Sequence, residues 1–159
     1  MTDAESDPPV DHVVDGVYIS GWRATLYADQ LRANHLLWVL KLYMDQPYFP
    51  PDFITLENSL NDGEFIPLSV LRRGVDFIVK QVDAGNKVLV MCGAGISRSS
   101  TFVLAYMLER NYDLRQAFQT LRLTHPIATP HFQMWLSLLA HYHLPYTLTD
   151  IFDWMRREE

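Results

Sequence analysis

The sequence predicts a single α/β domain with a mainly parallel central sheet of about four to five strands and helices on both faces. Three observations carry this. Short continuous apolar runs, at residues 36–43 and 88–91, alternate with longer runs whose apolar residues recur every three or four positions. Strands that alternate with helices are joined by crossovers, which pair the strands in parallel and cover both sides of the sheet. Finally, the run at 88–91 enters a small-residue loop, and a helix-like run at 98–111 leaves it. Open sheets of this kind bind ligands at the carboxyl ends of such strands.

Residues 1–11 hold Asp3, Glu5, Asp7 and Asp11 with two prolines and no basic residue, and read as a disordered acidic leader. Residues 13–20, turning at Gly16, suggest a short hairpin or two edge strands. A helix is expected over 24–33, with Leu26, Tyr27, Gln30 and Leu31 on one face and Asn34 as its C-cap. The run 36–43, interrupted by Lys41, reads as a buried strand. A proline-rich loop at 46–51 and a short strand at 53–56 follow. Leu68, Leu71, Val75, Ile78, Val79 and Val82 have helical spacing, closed by Gly85 and Asn86.

Asp113 caps a further helix with Leu114, Ala117, Phe118 and Leu121 inward. Thr129-Pro130 reads as a cap followed by proline at the first helical position, opening a helix to about Leu144. A last short helix is expected over 149–157, with Ile151, Trp154 and Met155 inward. The division is therefore a leader at 1–11, a folded domain at 12–146 and a short helix or tail at 147–159.

The 159 residues suffice to bury a core without staples, and 48% of them are hydrophobic. No apolar run approaches the roughly 18 residues a membrane span needs. A single cysteine allows no internal disulfide and fits a reducing, cytoplasmic setting. The net charge of −6 argues against nucleic acid and anionic membrane as partners.

That cysteine, Cys92, stands six positions before Arg98 in Cys92-Gly93-Ala94-Gly95-Ile96-Ser97-Arg98. Successive amides of a tight loop, together with the positive end of the next helix, converge on one point and make an anion cradle. Phosphate satisfies those donors, and a cysteine at the floor of the cradle is a nucleophile in its thiolate form. Arg98, a planar fork, can grip two phosphate oxygens. Gly93 and Gly95 let backbone approach the ligand, while Ala94, Ile96 and Ser97 add amides. A buried structural cysteine beside a glycine turn is the plainer reading of the same residues.

Cys-x5-Arg-Ser after a strand resembles the signature of cysteine-dependent protein phosphatases. The stretch from Val88 to Leu108 is similar to their small dual-specificity branch. Gly16-Val17-Tyr18-Ile19-Ser20-Gly21 fits a Gly-x-Tyr-Ile/Leu-x-Gly opening in that family, so the resemblance covers roughly residues 13–144. It implies a protein tyrosine phosphatase-like fold in which Cys92 attacks phosphorus and Arg98 holds the ester. It also implies that the Ser99 hydroxyl bonds the cysteine sulfur and eases breakdown of a phosphocysteine.

A phosphoester further needs an acid for its leaving oxygen and a base for water. The resemblance puts one aspartate in both roles, roughly thirty residues before the cysteine. Asp62, in Asn61-Asp62-Gly63-Glu64, matches that position. The link at 57–66 is longer than is usual for the family, which leaves Glu57 and Glu64 as rivals. Met91 departs from the family, which has histidine before the cysteine to brace the loop. Methionine packs but cannot donate a hydrogen bond.

The implied activity is hydrolysis of phosphotyrosine and phosphoserine or phosphothreonine monoesters in phosphorylated proteins, with no cofactor. Rival activities are a phosphoinositide or phosphoglucan phosphatase, or a weakly active pseudophosphatase that binds phosphoproteins. Lipid-directed relatives tend to place lysines in the loop, and residues 93–97 are neutral. His125, His131, His141 and His143 lack metal-ligand spacing, so no metal site is expected.

Overall fold

Val88 to Met91 are four consecutive apolar residues, all fully buried, and a strand with no polar face belongs inside a parallel sheet. A computed structural model, which describes residues 7–158, places them there. The strands are β1 (Asp11–Val14), β2 (Val17–Ser20), β3 (Trp38–Lys41), β4 (Ile54–Glu57) and β5 (Val88–Met91), in the order β1-β2-β5-β3-β4. β1 and β2 form the antiparallel hairpin anticipated around Gly16, and every other pairing is parallel. Met91 is in register with Ser20 on one side and Lys41 on the other. The central strand thus delivers Cys92 to the middle of the sheet's carboxyl edge.

The helices are α1 (Ala28–Ala33), α2 (Leu68–Asp83), α3 (Arg98–Glu109), α4 (Leu114–Thr124), α5 (Phe132–His141) and α6 (Leu148–Glu158). They lie on both faces, unequally. Val88, Val90 and Cys92 face the larger core, with Leu71, Val75, Ile78, Phe102, Leu121 and Trp135. Leu89 and Met91 face a smaller one with Ala24, Leu31, Val39 and Phe53. That alternation is the strand's period of two. Each such aliphatic side chain contributes about 1.5–3 kcal/mol on burial.

Several boundaries differ from expectation. The helix predicted over 24–33 begins as a 3-10 helix (Trp22–Tyr27) and becomes α-helical only at Ala28. The predicted leader lies outside the described residues for 1–6, and its last residue, Asp11, opens β1. Asp113 does cap α4, accepting from the amides of Arg115 and Gln116. Thr129-Pro130 does not open α5. His131 takes the cap, its Nδ1 accepting from the Gln133 amide, and the helix ends at His141. The amide of Thr129 is drawn instead to the carbonyl of Ile96, a tertiary contact that outweighs the local pattern. The last segment is a docked helix, with Ile151 and Trp154 buried in the main core.

Candidate active site

The loop from Cys92 to Ser97 owes its shape to what holds its carbonyl groups. The Gly93 carbonyl accepts from the Trp22 amide at 2.9 Å, and that of Ile96 from the Thr129 amide at 2.9 Å. The Ser100 hydroxyl also reaches Ile96 O, at 2.7 Å. Ser97 O accepts from both the amide and the hydroxyl of Thr101. Gly95 O meets the His125 ring, Nε2, at 2.6 Å. In a planar trans peptide the N–H points opposite to the preceding C=O. Pinning these carbonyls outward therefore turns the following amides, those of Ala94, Ile96, Ser97 and Arg98, toward one centre. Among the described residues these four amides meet no acceptor. They form an anion cradle at the positive end of α3.

Gly95 has φ +75°, a conformation that costs glycine little and other residues more. At the floor sits Cys92, 2% exposed, its sulfur 3.1 Å from the fully buried Ser99 hydroxyl. Arg98 begins α3 and folds back over the loop, its Nη2 3.3 Å from where a β-carbon on Gly93 would stand. Its Nη1 donates to the carbonyls of Leu60 at 3.1 Å and Leu42 at 3.3 Å. One end of the guanidinium is thereby fixed, and Nε and Nη2 remain for a ligand.

Cys92, Arg98 and Asp62 line one cavity of about 310 Å³, which Thr129, Pro130 and His131 also line. The two rival carboxylates do not line it. Glu57 accepts from the buried Lys41 ammonium at 3.1 Å, and Glu64 accepts from the Asn61 side-chain Nδ2 at 3.3 Å. The Asp62 loop is anchored at both ends. Leu60 is tied to Leu42 and Arg98, while Ile66 is held by the Ser137 hydroxyl and by His141 Nε2.

The structure brings all the predicted loop residues to one place, with Ser99 and Asp62 beside them. It adds groups that the sequence did not assign to the loop: the Trp22 and Thr129 amides, and the His125 ring. The Met91 side chain is fully buried in the smaller core, while its carbonyl accepts from the Leu42 amide at 2.9 Å.

Residues 17–143 match the family model described as the dual specificity phosphatase catalytic domain. The chain belongs to this family. It is 30% identical over 135 residues to human dual specificity protein phosphatase 16, covering 81% of this chain and 20% of that protein. It is also 30% identical over 122 residues to dual specificity protein phosphatase 1 of Arabidopsis thaliana, covering 75% of this chain and 62% of the relative. The chain thus spans about a fifth of the human protein's length. Among solved structures, human DUSP28 superposes with a TM-score of 0.77 at 25% identity, covering 85% of this chain and 93% of that one. A mouse dual specificity phosphatase in complex with zinc tungstate does so with a TM-score of 0.77 at 25% identity, covering 92% and 99%. The fold is that of these phosphatases, whose family comprises cysteine-dependent phosphoric monoester hydrolases.

Proposed function

We propose that this domain hydrolyses phosphotyrosine and phosphoserine or phosphothreonine monoesters of protein substrates through a phosphocysteine on Cys92. The observation that carries the reading is the set of unpaired amides at Ala94, Ile96, Ser97 and Arg98 in the loop that follows Cys92, with the Arg98 guanidinium anchored to Leu42 and Leu60. The cradle and the free end of the Arg98 fork bind the three non-bridging phosphoryl oxygens. The thiolate attacks phosphorus in line, the ester P–O bond breaks, and its electron pair leaves on the oxygen. Asp62 gives that oxygen its proton. The Asp62 carboxylate then takes a proton from water as the water attacks phosphorus. The S–P bond breaks, inorganic phosphate departs, and the returning thiolate accepts a hydrogen bond from Ser99. No step requires a metal or another cofactor.

The mouse relative is complexed with zinc tungstate, whose anion is tetrahedral like phosphate. The neutral loop and the absence of lysine within it favour protein phosphoesters over inositol lipids. No described helix is long and apolar enough to cross a membrane, and the one cysteine is free, which suits a reducing cytoplasm.

The test is turnover of p-nitrophenyl phosphate and of phosphotyrosine and phosphothreonine peptides by wild type and Cys92→Ser. Wild type is expected to turn over all three in the presence of chelator. Cys92→Ser is expected to fold and turn over none, since a serine hydroxyl is far too weak an acid to attack unassisted. Activity retained by Cys92→Ser, or rejection of both peptides by wild type, contradicts the reading.

A further inference from the structure

We infer that His125, oriented by Asp11, is a positioning residue that holds the phosphate-binding loop in its anion-receiving shape. This rests on the proposal that the loop binds phosphate. His125 is the C-cap of α4 and is 4% exposed. Its ring makes two hydrogen bonds of 2.6 Å, Nε2 to the Gly95 carbonyl and Nδ1 to Asp11 Oδ2. Both partners only accept, so the ring serves both contacts at once only when each nitrogen carries a hydrogen. The carboxylate of β1 supplies the countercharge for such a ring.

Gly95 O and the Ile96 N–H share one peptide plane, so pulling that carbonyl outward aims the amide at the phosphate. His125 and Asp11 line a cavity of about 590 Å³ together with Arg23, Trp22 and Gly93. That cavity is distinct from the one holding Cys92, and Ala94 borders both. His125 therefore reaches the reaction through the loop rather than through the substrate.

Three variants test this in the whole chain. His125→Leu fills the space without a donor, His125→Gln keeps one N–H for Gly95 O, and Asp11→Ala frees the ring. The readouts are inhibition by inorganic phosphate and orthovanadate, and the pH midpoint of Cys92 alkylation by iodoacetamide. Melting temperature serves as the control. His125→Leu is expected to weaken oxyanion inhibition roughly tenfold, the scale of one lost hydrogen bond at a charged site. Its alkylation midpoint should move to higher pH, His125→Gln should recover most of both changes, and Asp11→Ala should show smaller changes of the same sign.

A role confined to stability would lower the melting temperature and leave the folded protein's oxyanion affinity alone, and that result overturns the proposal. If His125→Leu does not fold, Asp11→Ala on its half-exposed side chain decides, and wild-type affinity there overturns it equally. If wild type neither binds orthovanadate nor turns over phosphoesters, the functional reading falls and takes this inference with it. Wild-type activity with unchanged variants sinks the brace alone.

Discussion

Gly21 lies so close to Gly93 that a β-carbon on it would come within 2.8 Å of the Gly93 carbonyl oxygen and 3.0 Å of Ala94 backbone. The neighbouring Trp22 amide donates to the same Gly93 oxygen. The segment after β2 is therefore a template against which the phosphate loop is moulded, backbone to backbone. Gly21→Ala has no flexible side chain to push aside, so the loop itself must move. We expect a stability loss of about 1–3 kcal/mol, the usual cost of overpacking. A loop displaced by about 1 Å can lose about 100-fold in turnover. Urea unfolding and steady-state kinetics on an aryl phosphate measure the two, and wild-type kinetics in the variant would show that the template is dispensable.

Met91→His restores the residue that resembles the family pattern, yet the loop's carbonyls are already held by Trp22, His125, Thr129, Ser100 and Thr101. Met91 is buried with Leu89, Ala24 and Val39, where an imidazole must give up water. The expected result is an unchanged pH profile for Cys92 alkylation with a stability loss of about 1–3 kcal/mol. An alkylation midpoint shifted to lower pH would mean that the loop still lacked a brace.

What could be read from the sequence was what is contiguous in it. β5, the loop and the start of α3 occupy one stretch from Val88 to Arg98, so their order alone assembles Cys92, Arg98 and the amides. The alternation of apolar runs likewise shows where the layers fall. Three of the loop's five supports were not legible, because Trp22, His125 and Thr129 are distant in sequence, unlike Ser100 and Thr101. Two of the three act through backbone amides, which carry no residue identity. Thr129-Pro130 shows the same limit. The pair has the chemistry of a cap, but only the fold shows that the Thr129 amide is spent on Ile96. Asp62 was reached through family resemblance and not through its surroundings, which become visible only when Leu60 and Ile66 are seen pinned on either side of it.

Tyr106 gives the domain an alkaline limit. Burial first, and then its hydrogen bond to Asp15, push the phenol up to about 12. An unfolded tyrosine ionises near 10. The folded-state value lies above the unfolded one, so this contribution is intact below about pH 10 and is lost as pH rises through about 12. Tyr43 and Tyr142 are also shifted upward chiefly by burial and act in the same direction. Tyr106→Phe should cost about 1 kcal/mol at neutral pH through the lost hydrogen bond to Asp15, and should reduce the steepness of the alkaline fall. Urea midpoints between pH 7 and 11.5 test this; an equally steep fall in Tyr106→Phe would assign the limit to the other tyrosines.

Arg98 ties the phosphate site to the proposed acid, because its Nη1 holds the Leu60 carbonyl two residues before Asp62. The short span to Ile66 then leaves Asp62 at the cavity that contains Cys92. Glu57 is committed to Lys41, and Glu64 lies outside that cavity. A proton donor matters most when the leaving oxygen is a strong base. Asp62→Asn should therefore slow hydrolysis of phenyl phosphate by about 10²–10⁴-fold, the range of general-acid catalysis. The loss should be smaller for p-nitrophenyl phosphate, whose phenol departs with little help. Glu57→Gln and Glu64→Gln should keep the wild-type dependence on the leaving group. If one of them shows the selective loss and Asp62→Asn does not, that glutamate is the acid; if none of the three does, the cavity binds phosphate without this route to its release.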